Sequence, residues 1–331
     1  MTAPLVAFTC PLPEPAESLL APHARIEVVP DGPDRIGRAL ALDPVVLVSQ
    51  LTDRLDAERL ATAGARLRAI CQYSAGHDNV DLAAASRLGI AVTTTPDVLT
   101  DATADLAMTL LLALQRRVLD GDRITRAGEF PGWRPDFLLG QDLGGSVLGL
   151  AGFGRIAQAV ARRAESFGMR VLYCRRPPAA TAVPATGTSA EPVSWPELLR
   201  RADVVSLHVP LTAQTRHLID AAALRAMKRN AVLVNTSRGA VVDEAALVTA
   251  LHSGVIAGAG LDVYEHEPRL APGLPGAPNT VLLPHVGSAT EQTRAAMARI
   301  CARNVLAVLA GSRPGNLVNP AASAAPERSV P

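Results

Sequence analysis

At 331 residues the chain is long enough for two domains of ordinary size, each with its own buried core. A net charge of +1, with 19% charged and 48% hydrophobic residues, gives no pull toward polyanions and argues against nucleic acid as a partner. Cys10, Cys71, Cys174 and Cys301 stand singly, without metal-ligand or disulfide spacing, and neither a leader nor a membrane-length apolar run is present, so a cytoplasmic protein with reduced thiols and no metal is expected.

Short β-branched runs alternate with helical patterns in two blocks, the signature of βαβ units and parallel sheets. The first block predicts strands at Leu5–Phe8, Ile26–Val29, Val45–Ser49, Leu67–Cys71 and Ile90–Val92, with helices such as Ala57–Ala63 and Leu82–Leu88 between them. Asp101–Leu119 holds no Gly or Pro and is rich in helix formers, which predicts one long, heavily buried helix bridging the blocks. The second block predicts strands at Val147–Ala151, Arg170–Cys174, Val204–His208, Ala231–Asn235, Ala257–Asp262 and Val281–Leu283. Ser194-Trp195-Pro196-Glu197 has the capping-box pattern of a helix start. Ala289–Leu309 reads as a further helix, and residues 319–331 as a disordered tail.

After the strand at Val147–Ala151 comes Gly152-Phe153-Gly154-Arg155-Ile156-Ala157, leading into an amphipathic helix. Gly152 permits a tight turn, Gly154 allows the backbone close to a pyrophosphate, Ala157 is small enough for helix–strand packing, and the helix N-terminus faces the phosphates. A ligand-free βα turn would carry the same glycines; strand, turn and helix together favour a bound dinucleotide. The acid that usually takes the ribose 2′-OH of NAD is missing, and the next strand ends in Arg175-Arg176. Two guanidiniums suit a 2′-phosphate, so NADP(H) is expected over NAD(H), the competing reading being two solvated surface charges.

Three loops of the second block follow strand C-terminal ends, where open α/β sheets bind ligands. They are Asn235-Thr236-Ser237-Arg238-Gly239, the run from Leu261 to Pro268, and Pro284-His285-Val286-Gly287-Ser288. Between them they offer a cation, an acid–base group and carboxylates, the parts needed to reduce a 2-oxo acid. In this order after GFGRIA, NTSRGAVVDE, GAGLDVYEHEP and LLPHVGSAT resemble the D-isomer-specific 2-hydroxyacid dehydrogenase family. The similarity runs from PLPEPAESLL through YSAGHDNVD and DVLTDATADLA to about Asn319.

The resemblance implies two doubly wound α/β domains. One is a smaller, flavodoxin-like substrate-binding domain formed by residues 1–99 and 287–318; the other is a Rossmann dinucleotide-binding domain, residues 100–286. It also implies that Arg238 binds the substrate carboxylate and carbonyl, that His285 donates the proton in reduction, and that Glu267 pairs with His285. A free imidazole titrates near ~6.5, and an adjacent carboxylate favours the imidazolium that reduction needs. Glu265 competes with Glu267; Glu267 is preferred because it precedes Pro268, and His266 reads as an exposed loop residue. Glu267 argues against the formate dehydrogenase branch, which carries glutamine there.

By the same resemblance Asp262 holds the nicotinamide amide, Thr103 lies near the nicotinamide, His208-Val209-Pro210 walls the ribose, and Thr236, His285 and Gly287 join the cofactor site. In isolation Thr103 reads as a capping or packing residue. The Ala75 and Gly76 N–H groups of Ser74-Ala75-Gly76-His77-Asp78 are implied to bind the substrate carboxylate, while Asp78, Asn79 and Asp81 read as helix caps. His77 departs from the apolar or aromatic residue common in relatives.

DVLTDATADLA and Trp133-Arg134-Pro135 are most similar to the glyoxylate and hydroxypyruvate reductases, in which such a tryptophan reaches the partner subunit's active site. That implies a homodimer acting on small 2-oxo or 2-hydroxy acids; the alternative is an ordinary buried anchor. Phosphite dehydrogenase shares the same arginine, glutamate and histidine. A dinucleotide-sensing corepressor is the competing reading from another class, and the intact Arg238, Glu267 and His285 speak against it.

Overall fold

The computed structural model describes residues 3–175 and 189–319. Two compact units emerge, one running through Leu99 and resuming at Ser288, the other spanning Thr100–Gly287. Gly287 thus closes the second unit, and the return begins one residue later than the sequence places it.

The first unit holds five parallel strands, β1 (Leu5–Phe8), β2 (Arg25–Val28), β3 (Val46–Ser49), β4 (Ala69–Gln72) and β5 (Ala91–Thr93), in the order β2-β1-β3-β4-β5. This is the flavodoxin-like order. Alternate residues face opposite layers, as the period of a strand requires. Val6, Phe8, Val46 and Val48 pack with Met297, Cys301 and Val305 of the Glu291–Leu309 helix, whereas Ala7, Leu47 and Ile70 pack with Ile36, Leu40 and Leu60. Asp34, Asp56 and Asp81 start helices by accepting from Gly37, Arg59 and Ala84 N–H.

Asn319 does not belong to a loose tail. Only 4% exposed, it accepts from Val92 N–H at 2.7 Å and donates to Ile90 O and Ser86 Oγ at 2.9 and 3.1 Å, tying the chain to the edge strand β5. The rest of the expected tail, residues 320–331, lies outside the described residues.

The second unit holds seven parallel strands: β6 (Val147–Ala151), β7 (Arg170–Cys174), β8 (Glu191–Pro192), β9 (Val204–Leu207), β10 (Val232–Asn235), β11 (Gly258–Leu261) and β12 (Thr280–Leu282). Their order, β12-β11-β10-β9-β6-β7-β8, is that of a dinucleotide-binding Rossmann sheet extended by one strand. It reverses direction between β6 and β9, which opens the crevice where such sheets take ligands. The two-residue β8 is an edge strand too short to show in the sequence pattern.

The long helix expected over Asp101–Leu119 is two helices, Thr100–Gln115 and Val118–Arg126. Arg117 adopts a left-handed φ of 51° with its guanidinium on Asp120, and Gln141 N–H donates to Gln115 O at 2.9 Å, ending the first helix. The first helix lies wholly in this unit and buries Ala104, Ala107, Leu110, Leu111 and Leu114; the second buries nothing. Ser194 occupies an N-cap, but its side chain makes no capping bond and Glu197 pairs instead with Arg201 at 2.7 Å. Pro196 removes one of the N–H groups that a capping serine would use.

Candidate active site

At the reversal of the second sheet, Gly152 N–H donates to Cys174 O at 2.9 Å and His208 N–H to Ala151 O at 2.8 Å. Gly152 has φ 90°, and a Cβ there would stand 2.6 Å from the His208 carbonyl oxygen, so only glycine fits. Gly154 caps the Arg155–Ser166 helix without a side chain, and a Cβ on it would meet nothing within 4 Å. The turn therefore leaves open space before a helix N-terminus, which fits a pyrophosphate. Ala157 is fully buried, as close helix–strand packing requires.

Phe153 is buried and stacked on Tyr173 with ring centroids 3.9 Å apart, so its backbone alone is available to the turn; Arg155 is exposed and Ile156 half-buried. Arg175 is half-buried at the end of β7, and Arg176 lies outside the described residues. His208 places Nε2 2.9 Å from Ser206 Oγ, and burial pushes its pKa down to about 4, which leaves it neutral at pH 7. Val209 is buried, and Pro210 O accepts from Thr215 Oγ1 at 2.6 Å. Thr236 Oγ1 is a buried hydroxyl with no partner among the described residues, a vacancy in hydrogen bonding that a bound dinucleotide can fill.

The three loops converge in the same unit. Asn235, buried at the end of β10, accepts from Ser237 N–H at 3.0 Å and donates to Arg238 O at 2.9 Å, closing the loop that carries Arg238. Arg238 Nη1 donates to Ser237 O at 2.7 Å. Gly239 crosses the next loop so closely that a Cβ would lie 1.8 Å from the Tyr264 carbonyl carbon. Tyr264 in turn donates its hydroxyl to Leu283 O at 2.8 Å and its N–H to Glu267 Oε1 at 3.0 Å.

Glu267 Oε2 then meets His285 Nδ1 at 2.9 Å. With Nδ1–H donating to the carboxylate, Nε2 is left to exchange a proton with a substrate. Burial raises the Glu267 pKa, but the His285 hydrogen bond and charge, the Tyr264 N–H and the Arg238 charge outweigh it, and the net shift is downward. Arg238 thus acts on the carboxylate that holds His285, and Arg238, Glu267 and His285 form one cluster.

His285 sits at a left-handed φ of 56°, fixed from its other side by Asp262. The Asp262 carboxylate, 1% exposed, accepts from Val286 and Gly287 N–H, each at 2.8 Å, and Thr103 Oγ1 donates to Gly287 O at 3.1 Å. Burial raises the Asp262 pKa against these two amides and the His285 charge. The two competing acids have different partners. Glu265 Oε1 is taken by His217 Nε2 at 2.7 Å and Arg216 Nη2 at 2.9 Å, and His266 is exposed.

In the first unit Ser74 Oγ donates to Gly76 O at 2.5 Å, and the Ala75 and Gly76 N–H groups have no partner among the described residues. Asp81 is the helix cap expected of it. Asn79 is not a cap: it accepts from Gln72 Nε2 at 2.6 Å and donates to Gln50 O and Asp53 O at 3.1 and 2.7 Å, tying the 50–53 segment to β4.

The sequence profile described as D-isomer specific 2-hydroxyacid dehydrogenase, NAD binding domain, matches residues 108–287. The chain belongs to the D-isomer-specific 2-hydroxyacid dehydrogenase family. The dehydrogenase is 46% identical over 324 residues to a glyoxylate reductase of Thermococcus litoralis, covering 96% of this chain and 97% of the relative. A glyoxylate reductase of Thermococcus kodakarensis is 48% identical over 324 residues, covering 96% of each. Among solved structures, an NADPH-dependent glyoxylate/hydroxypyruvate reductase from Sinorhizobium meliloti in complex with NADP and malonate superposes with a TM-score of 0.84 at 33% identity, covering 96% of this chain and 97% of that one. The dehydrogenase is accordingly an NAD(P)-dependent oxidoreductase whose cofactor is a nicotinamide dinucleotide, and among its described residues no helix is long and apolar enough to cross a membrane.

Proposed function

We propose that the dehydrogenase reduces small 2-oxo acids, glyoxylate and hydroxypyruvate foremost, to 2-hydroxy acids with NADPH. The observation that carries this reading is the Glu267–His285 pair with the Arg238 charge acting on the same carboxylate. The similarity to glyoxylate reductases points the same way. The nicotinamide, when bound, supplies the hydride. Arg238 grips the substrate carboxylate and polarises the carbonyl, and His285 Nε2 hands a proton to the developing alkoxide. Glu267 stabilises the imidazolium; in the first unit the Ala75 and Gly76 amides suit a carboxylate, the role the family resemblance implies for them.

Gly152, Phe153, Gly154, Arg155 and Ile156 would cradle the pyrophosphate, with Thr103, His208, Val209, Pro210, Thr236, Asp262 and Gly287 along the rest of the dinucleotide. Arg175 and Arg176 would hold a 2′-phosphate, which is the ground for preferring NADPH. Trp133 is 85% exposed among the described residues, which speaks against an anchor buried in its own chain and favours a homodimer that covers it, together with the exposed Val118, Leu119, Phe130 and Leu139. All four cysteines are free thiols, in keeping with a cytoplasmic enzyme.

The test is a steady-state panel of glyoxylate, hydroxypyruvate, pyruvate and phosphite, with phosphite read as the oxidation, using both cofactors. The highest kcat/KM is expected for glyoxylate or hydroxypyruvate with NADPH. Turnover confined to phosphite, or a clear preference for NADH, would overturn the corresponding part of the proposal. Trp133→Ala should raise KM for the oxo acid and weaken the dimer in sedimentation.

A further inference from the structure

Glu244 opens the Glu244–His252 helix, a position where an acid ordinarily stays in water and faces the helix dipole. Here it is 3% exposed. It is not needed as the cap, because Asp243 already accepts from Ala246 N–H at 2.9 Å. Its two carboxylate oxygens leave the helix instead. Oε1 accepts from Glu265 N–H at 2.6 Å and Oε2 from Ala271 N–H at 3.2 Å.

Those amides stand at the two ends of one loop, and Glu267 lies between them. Within the loop, the Arg269 N–H donates to His266 O at 2.9 Å, a local turn that does not set where the loop as a whole sits. The Glu265 side chain is engaged by Arg216 and His217, so Glu244 reaches this residue through its backbone N–H alone.

We propose that Glu244 is a positioning residue for proton transfer: a single buried carboxylate closes the 265–271 loop at both ends and so holds Glu267 on His285 Nδ1. The inference rests on the assignment of Glu267 and His285 to proton transfer. Burial raises the Glu244 pKa, with the two amides and the His266 charge opposing it and the Glu265 charge adding to it. A buried acid satisfied by two backbone donors defines geometry, because each oxygen has a fixed partner.

The experiment compares Glu244→Gln, Glu244→Asp, Glu267→Gln and the double variant Glu244→Gln/Glu267→Gln in glyoxylate reduction. Folding is checked by thermal unfolding, and kcat is measured against pH. Glutamine has one accepting oxygen and points an NH2 at the second amide; aspartate keeps the carboxyl group but is too short to span both amides. Each single Glu244 variant should lower kcat by about tenfold, the scale of losing one hydrogen bond to a charged group, with KM for NADPH within about twofold. The alkaline limb of the kcat profile should move to lower pH in Glu244→Gln as it does in Glu267→Gln. In the Glu267→Gln background the Glu244 substitution should cost less than about twofold, because its route of action is already gone.

A folded Glu244→Gln or Glu244→Asp enzyme with native kcat and an unmoved limb overturns the proposal, as does a full tenfold loss in both backgrounds. If Glu267→Gln alone leaves rate and limb unchanged, the catalytic assignment fails and takes this inference with it. If Glu267→Gln is impaired while the Glu244 variants are not, only the positioning role fails.

Discussion

Replacing Glu267 with glutamine preserves length and shape while removing one charge from the acid–base pair. In the native enzyme Oε2 meets His285 Nδ1 at 2.9 Å and Oε1 accepts from Tyr264 N–H at 3.0 Å. Two unit charges about 4 Å apart attract by about 4 kcal/mol at an effective dielectric of about 20. The side chains are 32% and 29% exposed, so solvent screens part of that attraction. A charge-assisted hydrogen bond of about 1.5–3 kcal/mol is the better measure. Because the pair favours the imidazolium that donates the proton, the loss falls on kcat for reduction, by about 10- to 150-fold. The assay is kcat against pH at saturating glyoxylate and NADPH, with nucleotide affinity read separately by fluorescence. Nucleotide affinity should hold, and the alkaline limb should move to lower pH because His285 loses its carboxylate partner. A kcat within about twofold of native, with a superimposable pH profile, would refute the role given to Glu267.

Gly239→Ala would drive a methyl into the Tyr264 backbone, so the Arg238 and Glu267 loops must separate; kcat should collapse, with a loss of about 1–3 kcal/mol in stability by thermal unfolding. Arg175→Ser together with Arg176→Ser should cut kcat/KM for NADPH by about 10- to 100-fold while leaving NADH nearly unchanged, and equal losses for both cofactors would count against a 2′-phosphate site. Asn319→Ala strands the buried Val92 N–H and should cost about 1–3 kcal/mol, read as a lower urea midpoint at constant activity. The depressed Glu267 carboxylate contributes stability that is complete above the unfolded value of 4.5 and is lost as pH falls through the lower folded value. The stability gap between native enzyme and Glu267→Gln should therefore shrink as pH falls below about that value; a gap that widens there would contradict the assignment.

Local pattern carried the strands and the glycine turn, because buried parallel strands read as short apolar runs and the Gly152 conformation admits no other residue. It did not carry the break at Arg117, since arginine is a good helix former and the cause lies in Gln141 returning to Gln115 O from distant sequence. Asn319 was read as tail for a similar reason: its partners Val92, Ile90 and Ser86 lie more than two hundred residues earlier. The three functional loops were legible through their order and their places after strands. The choice between Glu265 and Glu267 rested on Pro268 alone, and the geometry that separates them comes from Arg216 and His217, which no spacing rule connects to the loop. Nothing in the sequence singles out Glu244, because burial is not written in a two-residue Asp-Glu pattern.

The central claim is that His285, held by Glu267, delivers the proton while Arg238 holds the substrate. It is tested most directly by single-turnover oxidation of bound NADPH by glyoxylate in His285→Asn. A loss of about 100- to 10,000-fold in that rate, with NADPH binding retained, is the expected result. A rate equal to that of the native enzyme would contradict it.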